Sequence, residues 1–110
     1  MKVYVSGKIT GEDRDKCIYK FGYNASKLRN QGHQVINPME MLKTMAAQDF
    51  SYEDLMTVCF TALSICDAIY MLDDWPDSKG AKLEHSYALN KGKKIFYQSV
   101  EGIVNVPKNL

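Results

Sequence analysis

The chain has 110 residues, 45% of them apolar, with 14 Lys and Arg set against 13 Asp and Glu for a formal net charge of +1. That length makes residues 1–110 one domain, large enough to bury a core and too small for two. The aliphatic and aromatic content excludes a disordered chain. The balanced charge argues against a large nucleic-acid interface, so no nucleic-acid polymer is expected as a partner.

Val3-Tyr4-Val5, closed by Ser6-Gly7, reads as a first strand. From about Asp13 to Asn30, residues Cys17, Ile18, Phe21, Ala25 and Leu28 fall on one helical face. Thr10 with Asp13 resembles a helix start, and Gly32 is a stop. Val35-Ile36 is a second strand. Asn37-Pro38 and Glu40 then supply a cap, a first-turn proline and a first-turn acid for a short helix to about Ala46. Residues 47–51 read as loop. Leu55, Cys59, Leu63 and Cys66 stripe a helix from about Tyr52 to Cys66.

Ala68-Ile69-Tyr70-Met71-Leu72 is the most continuous apolar run and suits a central parallel strand covered on both faces. A loop over Asp73–Gly80, a helix over Ala81–Lys91 ended by Gly92, and a fourth strand at Ile95-Phe96-Tyr97 follow. Residues Ile103 to Val106 offer a possible short fifth strand. The link from Tyr97 is too short for a parallel crossover, so the end reads as a tail packing on this subunit or on a neighbour.

Strands alternating with helices predict an α/β open parallel sheet with helices on both faces, in order 2-1-3-4. Ligands of such sheets bind at the carboxyl ends of the strands beside the switch in strand order. Here that means the loops Ser6–Glu12 and Asp73–Gly80.

Glu84 shares a helix face with Ala81 and Ala88, small residues suited to packing on the sheet. It is therefore expected to point inward near a helix start, partly desolvated, as a nucleophile requires. The other reading is a surface acid satisfying the helix dipole. Ser78, before Gly80, can cap this helix or help hold a phosphate on its free amides. Ser6-Gly7-Lys8 joins a strand to a helix, and its glycine lets the backbone approach a ligand. Asp73, at the tip of the central strand, is a candidate acid–base partner, while Asp74 reads as loop charge facing solvent. Tyr4 either points its hydroxyl at the nucleophile or fills the core.

Three cysteines (Cys17, Cys59 and Cys66) and two histidines (His33 and His85), with no CxxC spacing, support neither structural zinc nor a disulfide framework. Such thiols suit the reducing cytoplasm. The segment Met1 to Ser6 turns polar too soon for a signal peptide. No run approaches the ~20 apolar residues of a membrane span, so no membrane partner is expected.

Val3-Tyr4-Val5-Ser6-Gly7, Cys66-Asp67-Ala68-Ile69-Tyr70-Met71-Leu72 and Ser78-Lys79-Gly80-Ala81-Lys82-Leu83-Glu84 together resemble the nucleoside 2-deoxyribosyltransferase superfamily. The likeness is strongest to a small branch found in phages and prophages, and it covers about Lys2 to Tyr97. The resemblance implies a flavodoxin-like sheet and a glutamate nucleophile at Glu84. It also implies a neighbouring first-strand tyrosine at Tyr4 and an assisting aspartate at Asp73. Relatives that hydrolyse deoxynucleoside 5′-monophosphates carry serine where this chain has Ser78. With Ser6, Gly7, Lys8 and Gly80, this implies a nucleoside or nucleotide as the small-molecule partner. Those hydrolases use an aspartate where this chain has Cys59, so acid–base work falls to Asp73 or Asp54, or is absent. The resemblance further implies a homo-oligomer and a reaction needing no metal or redox cofactor. A sequestering nucleotide-binding protein and an interaction module with a vestigial pocket are the competing readings.

Overall fold

The computed structural model describes residues 1–99. The expected fifth strand and tail lie outside them. Four strands, β1 (Lys2–Ser6), β2 (Gln34–Ile36), β3 (Ala68–Met71) and β4 (Lys94–Tyr97), form one all-parallel sheet in the order β2-β1-β3-β4. Four helices connect or flank them: α1 (Arg14–Asn30), α2 (Pro38–Leu42), α3 (Tyr52–Ser64) and α4 (Lys79–Asn90). This is the flavodoxin-like open sheet, with the order reversing between β1 and β3.

The pleat divides the sheet's side chains into two layers. Val3, Val5, Ala68, Tyr70 and Leu72 pack with Cys17, Phe21 and Leu28 of α1. Tyr4, Ile69 and Met71 face the other way, against Cys59 and Leu63 of α3 and Ala81 and Ala88 of α4. Strand residues alternate between faces, so one parity of β1 belongs to α1 and the other to α3 and α4. Burying a side chain such as Phe21 or Leu63 contributes about 1.5–3 kcal/mol.

The helix ends follow their local chemistry. Asp13, rather than Thr10, caps α1 by accepting from the Lys16 amide. Asn37 caps α2 and accepts from the Met39 amide, with Pro38 at the first helical position. Ser51 and Asp54 form a reciprocal capping box on α3. Gly32 and Gly92 adopt φ of +94° and +69°, which lets the chain leave α1 and α4 in the left-handed region.

Some boundaries differ from the sequence reading. The helix after Pro38 ends at Leu42, and Ala47–Asp49 forms a 3-10 turn. α3 stops at Ser64, and α4 begins at Lys79 because Ser78 is its cap. Within α1, Ile18 is exposed and Asn24 is buried in the helix's inner face, where its amide donates to the Lys20 carbonyl. That bond satisfies a polar group that is otherwise costly to bury. No helix of the described residues is long and apolar enough to cross a membrane.

Candidate functional site

Tyr4 and Ser6 are two residues apart on β1, so both project into the α3–α4 layer. Glu84 meets them there. The Tyr4 hydroxyl donates to Glu84 Oε2 at 2.6 Å, and the Ser6 hydroxyl donates to Oε1 at 2.7 Å. Glu84 lies one helical turn beyond Ala81 and one before Ala88, and both alanines pack on the sheet. The carboxylate is therefore fixed from both sides, and only 6% of the residue is exposed. Each oxygen keeps a lone pair beyond the one its donor uses.

Burial raises the Glu84 pKa, and the hydrogen bonds from Ser6 and Tyr4 oppose that rise without cancelling it. The Tyr4 phenol is pushed well above its ordinary range, first by burial and then by the charge of Glu84, so it remains a proton donor to the carboxylate.

Glu84 borders a cavity of about 340 Å³ at the carboxyl ends of β1 and β3, a size suited to a small molecule. Ile9 and Thr10 line it from the β1–α1 loop, Pro38 and Leu42 from α2, and Tyr52, Leu55, Met56 and Cys59 from α3. Asp77, Ser78, Lys79 and Gly80 form its rim at the start of α4. The walls are mainly apolar, with the carboxylate and a few hydroxyls as polar features.

Ser78 Oγ accepts from the Ala81 amide at 3.1 Å, which establishes the cap. Its own proton stays available to an incoming acceptor. The amides of Lys79 and Gly80 lie in the first helical turn, where no preceding carbonyl of the helix reaches them. A Cβ on Gly80 would come within 3.3 Å of both Met56 Sδ and Tyr52 Oη, so a side chain there would require those two cavity-lining side chains to shift. Gly7 is tighter: a Cβ would stand 2.8 Å from Leu72 Cδ1 and 3.1 Å from Asp74 Oδ1.

Tyr4, Ser6, Gly7, Ser78, Gly80 and Glu84 are thus brought together. Lys8 is not in this cavity and lines a second depression beside it. The expectation that Asp73 faces Glu84 is corrected. Its carboxylate is exposed, accepts from Ser99 Oγ at 2.6 Å, and is not among the residues lining the cavity. The chain after β4 captures it, because Gln98 Oε1 also accepts from the Asp73 amide at 2.9 Å. Asp54 is engaged in the α3 capping box and is also outside the cavity. Cys59 does lie in the wall, but burial pushes its thiol up to about 11, too weak an acid to replace an aspartate near neutral pH.

The solvent-facing reading of Asp74 is corrected as well. Asp74 Oδ1 accepts from the Lys8 amide at 3.0 Å, and Oδ2 pairs with Lys20 Nζ. Lys20 Nζ also donates to the Lys8 carbonyl at 2.9 Å, as does Cys17 Sγ at 3.3 Å. Asp74 and Lys20 together hold the β1–α1 loop at both peptide groups of Lys8. The sequence reading also missed Tyr52 and Met56, although they lie three residues before Leu55 and Cys59 respectively, on the same side of the helix. Among the described residues no group of three or more His, Cys, Asp or Glu side chains converges as a metal site would require.

The fold and site define an open parallel α/β domain with a buried, doubly hydrogen-bonded carboxylate in the crevice beside its switch point. The chain belongs to the family described as a domain of unknown function, DUF4406, whose model matches residues 1–97. No curated protein matches the chain.

Proposed function

We propose that this domain cleaves or exchanges the N-glycosidic bond of a 2′-deoxynucleoside or its 5′-monophosphate, with Glu84 as nucleophile. The observation carrying this reading is the Glu84 carboxylate, desolvated at the edge of a nucleoside-sized cavity and oriented by Tyr4 and Ser6. A carboxylate made more basic by burial is a better nucleophile, and its fixed position removes the entropy of alignment.

In the first step a Glu84 oxygen bonds to the anomeric carbon as the carbon–nitrogen bond breaks. The bonding pair leaves on the base, which takes a proton from water. In the second step water or another base attacks the anomeric carbon, gives up its proton to the hydroxide left by the first step, frees the carboxylate and completes hydrolysis or transfer. This parallels retaining glycoside hydrolysis. Tyr4 and Ser6 keep the carboxylate directed at the cavity, and the apolar walls suit a nucleobase.

The test is incubation with a panel of deoxynucleosides and deoxynucleoside 5′-monophosphates, followed by chromatography for released base. Release supports the reading. Binding without release favours a nucleotide-sequestering protein that uses the same cavity. Ser78→Ala is expected to weaken a 5′-monophosphate more than its nucleoside, by about 1.5–3 kcal/mol, since a hydrogen bond to a charged group is lost. Equal weakening in calorimetric titrations would reduce Ser78 to a helix cap.

The same proposal places the protein in the cytoplasm, in keeping with three free, buried thiols. It also makes the working form a homo-oligomer. Tyr19 and Tyr23 on α1 and Leu89 on α4 leave apolar surface for such contacts. Light scattering should give at least a dimer mass, and an active monomer would defeat that part.

A further inference from the structure

Beside the Glu84 cavity, and sharing Asp77 and Lys79 with it, lies an open trough of about 670 Å³. Lys79, Lys82 and Ser86 line it from α4, and their spacing of three and four residues keeps all three on one helix face. Lys8 lines it from the β1–α1 loop. Asp77 is the one carboxylate in the wall against three cations, of which Lys8 also reaches Glu12 at 4.0 Å.

The arrangement runs against the local preference of the helix. Acids favour a helix start and cations its end, yet α4 has no acid in its first turn and begins with lysines at 79 and 82. Among the described residues neither lysine has a carboxylate partner within 4.0 Å, whereas Lys8 and Lys20 both reach Glu12. Lys79 instead lies over the Tyr52 ring, 5.9 Å from its centroid, at the border between the two depressions. Lys82 is exposed. These ammonium groups are available to an anion, and an anion there would also meet the positive end of the helix.

We propose that the trough of Lys8, Lys79 and Lys82 receives a polyphosphate tail, so that the ligand is a nucleoside di- or triphosphate rather than a monophosphate alone. The inference rests on the cavity holding a nucleotide's sugar and base, with the first phosphate at the Ser78–Gly80 rim. Further phosphates then pass over Lys79 into the trough. The tail is bound and its bonds are not broken.

The test needs no base release, so its failure and that of the glycosidic reading stay distinct. Affinities for inorganic phosphate, tripolyphosphate and a matched deoxynucleoside mono- and triphosphate pair are measured by calorimetry at fixed ionic strength. The triphosphate should bind about tenfold or more tighter than the monophosphate. Lys82→Ala should remove most of that difference while leaving monophosphate affinity unchanged. Lys91→Ala, which loses the same charge at the far end of α4, should leave the difference intact. Lys82 is on the surface, so its variant should fold. Equal affinity for the two nucleotides overturns the proposal, as does a Lys82→Ala effect matched by Lys91→Ala. The latter outcome would mean general attraction by surface charge.

Discussion

Glu84→Gln is expected to reduce base release by roughly a thousandfold or more, the scale seen when a nucleophile is removed. The same variant should be more thermally stable than the parent wherever the pH is high enough to ionise Glu84 in the folded protein. Both effects follow from one buried carboxylate. Glutamine keeps the shape and can still hydrogen-bond with Tyr4 and Ser6, so the cavity persists. It has no anionic oxygen with which to form the ester.

The stability effect has a definite pH dependence. Burial raises the folded-state pKa of Glu84 above its unfolded value. The native protein therefore holds this proton more tightly than the unfolded chain does. The resulting stability is complete below the unfolded pKa and is lost as pH rises through the folded one. Above that folded-state pKa the parent carries the cost of an ionised buried group, and the amide does not. The melting temperature of Glu84→Gln should exceed the parent's once pH is above the folded-state pKa of Glu84, and the gap should close as pH falls into the carboxylate range. The acid limb of kcat/KM for the parent should likewise lie above the usual carboxylate range, because only the ionised form attacks. Parallel thermal melts and pH–rate profiles check both statements. Parental base release in the variant would exclude Glu84 as nucleophile, and a gap widening toward low pH would reverse its electrostatic account.

The position of Glu84 was legible because it depends on local periods. Ala81, Glu84 and Ala88 share a helix face wherever that helix docks, and a short apolar strand ending in Ser6-Gly7 places Tyr4 and Ser6 on one parity. The alternation of strands and helices likewise restricted the sheet to few orders, and the observed one is β2-β1-β3-β4. What happens past the end of β3 was not legible. Whether Asp73 or Asp74 turns inward depends on groups far away in sequence: Gln98 and Ser99 on one side, Lys8 and Lys20 on the other. No period carries such information. The contribution of α2 to the cavity was hidden for a similar reason. Pro38 and Leu42 are ordinary apolar residues of a short helix, and their role comes from its lining the same cavity as Ile9 and Thr10 of the β1–α1 loop.

Asp74→Ala is therefore expected to do more damage than Asp73→Asn. The Asp74 side chain anchors the Lys8 amide and the Lys20 ammonium, and Lys20 in turn anchors the Lys8 carbonyl. Removing it leaves the Lys8 amide without its acceptor, and Lys20 with only the Lys8 carbonyl and Glu12, beside a tightly packed Gly7. Both ion-pair partners are about a quarter exposed, so solvent screens part of the loss. A destabilisation of about 1–2 kcal/mol remains, mostly from the unsatisfied Lys8 amide. The functional effect should be larger than that figure suggests, because the β1–α1 loop supplies Gly7, Ile9 and Thr10 to the cavity wall. Small displacements of positioning groups can lower turnover about a hundredfold. Asp73→Asn should stay within about 0.5 kcal/mol of the parent, as exposed substitutions usually do. Asparagine there can still accept from Ser99. Urea midpoints, hydrogen exchange at the Lys8 amide and ligand affinity should all separate the two variants in that order. Exchange at Lys8 is the decisive reading, since a change of charge alone would not open that one amide. If Asp73→Asn proves as harmful to binding as Asp74→Ala while Lys8 stays protected in both, the clamp is not what holds the site.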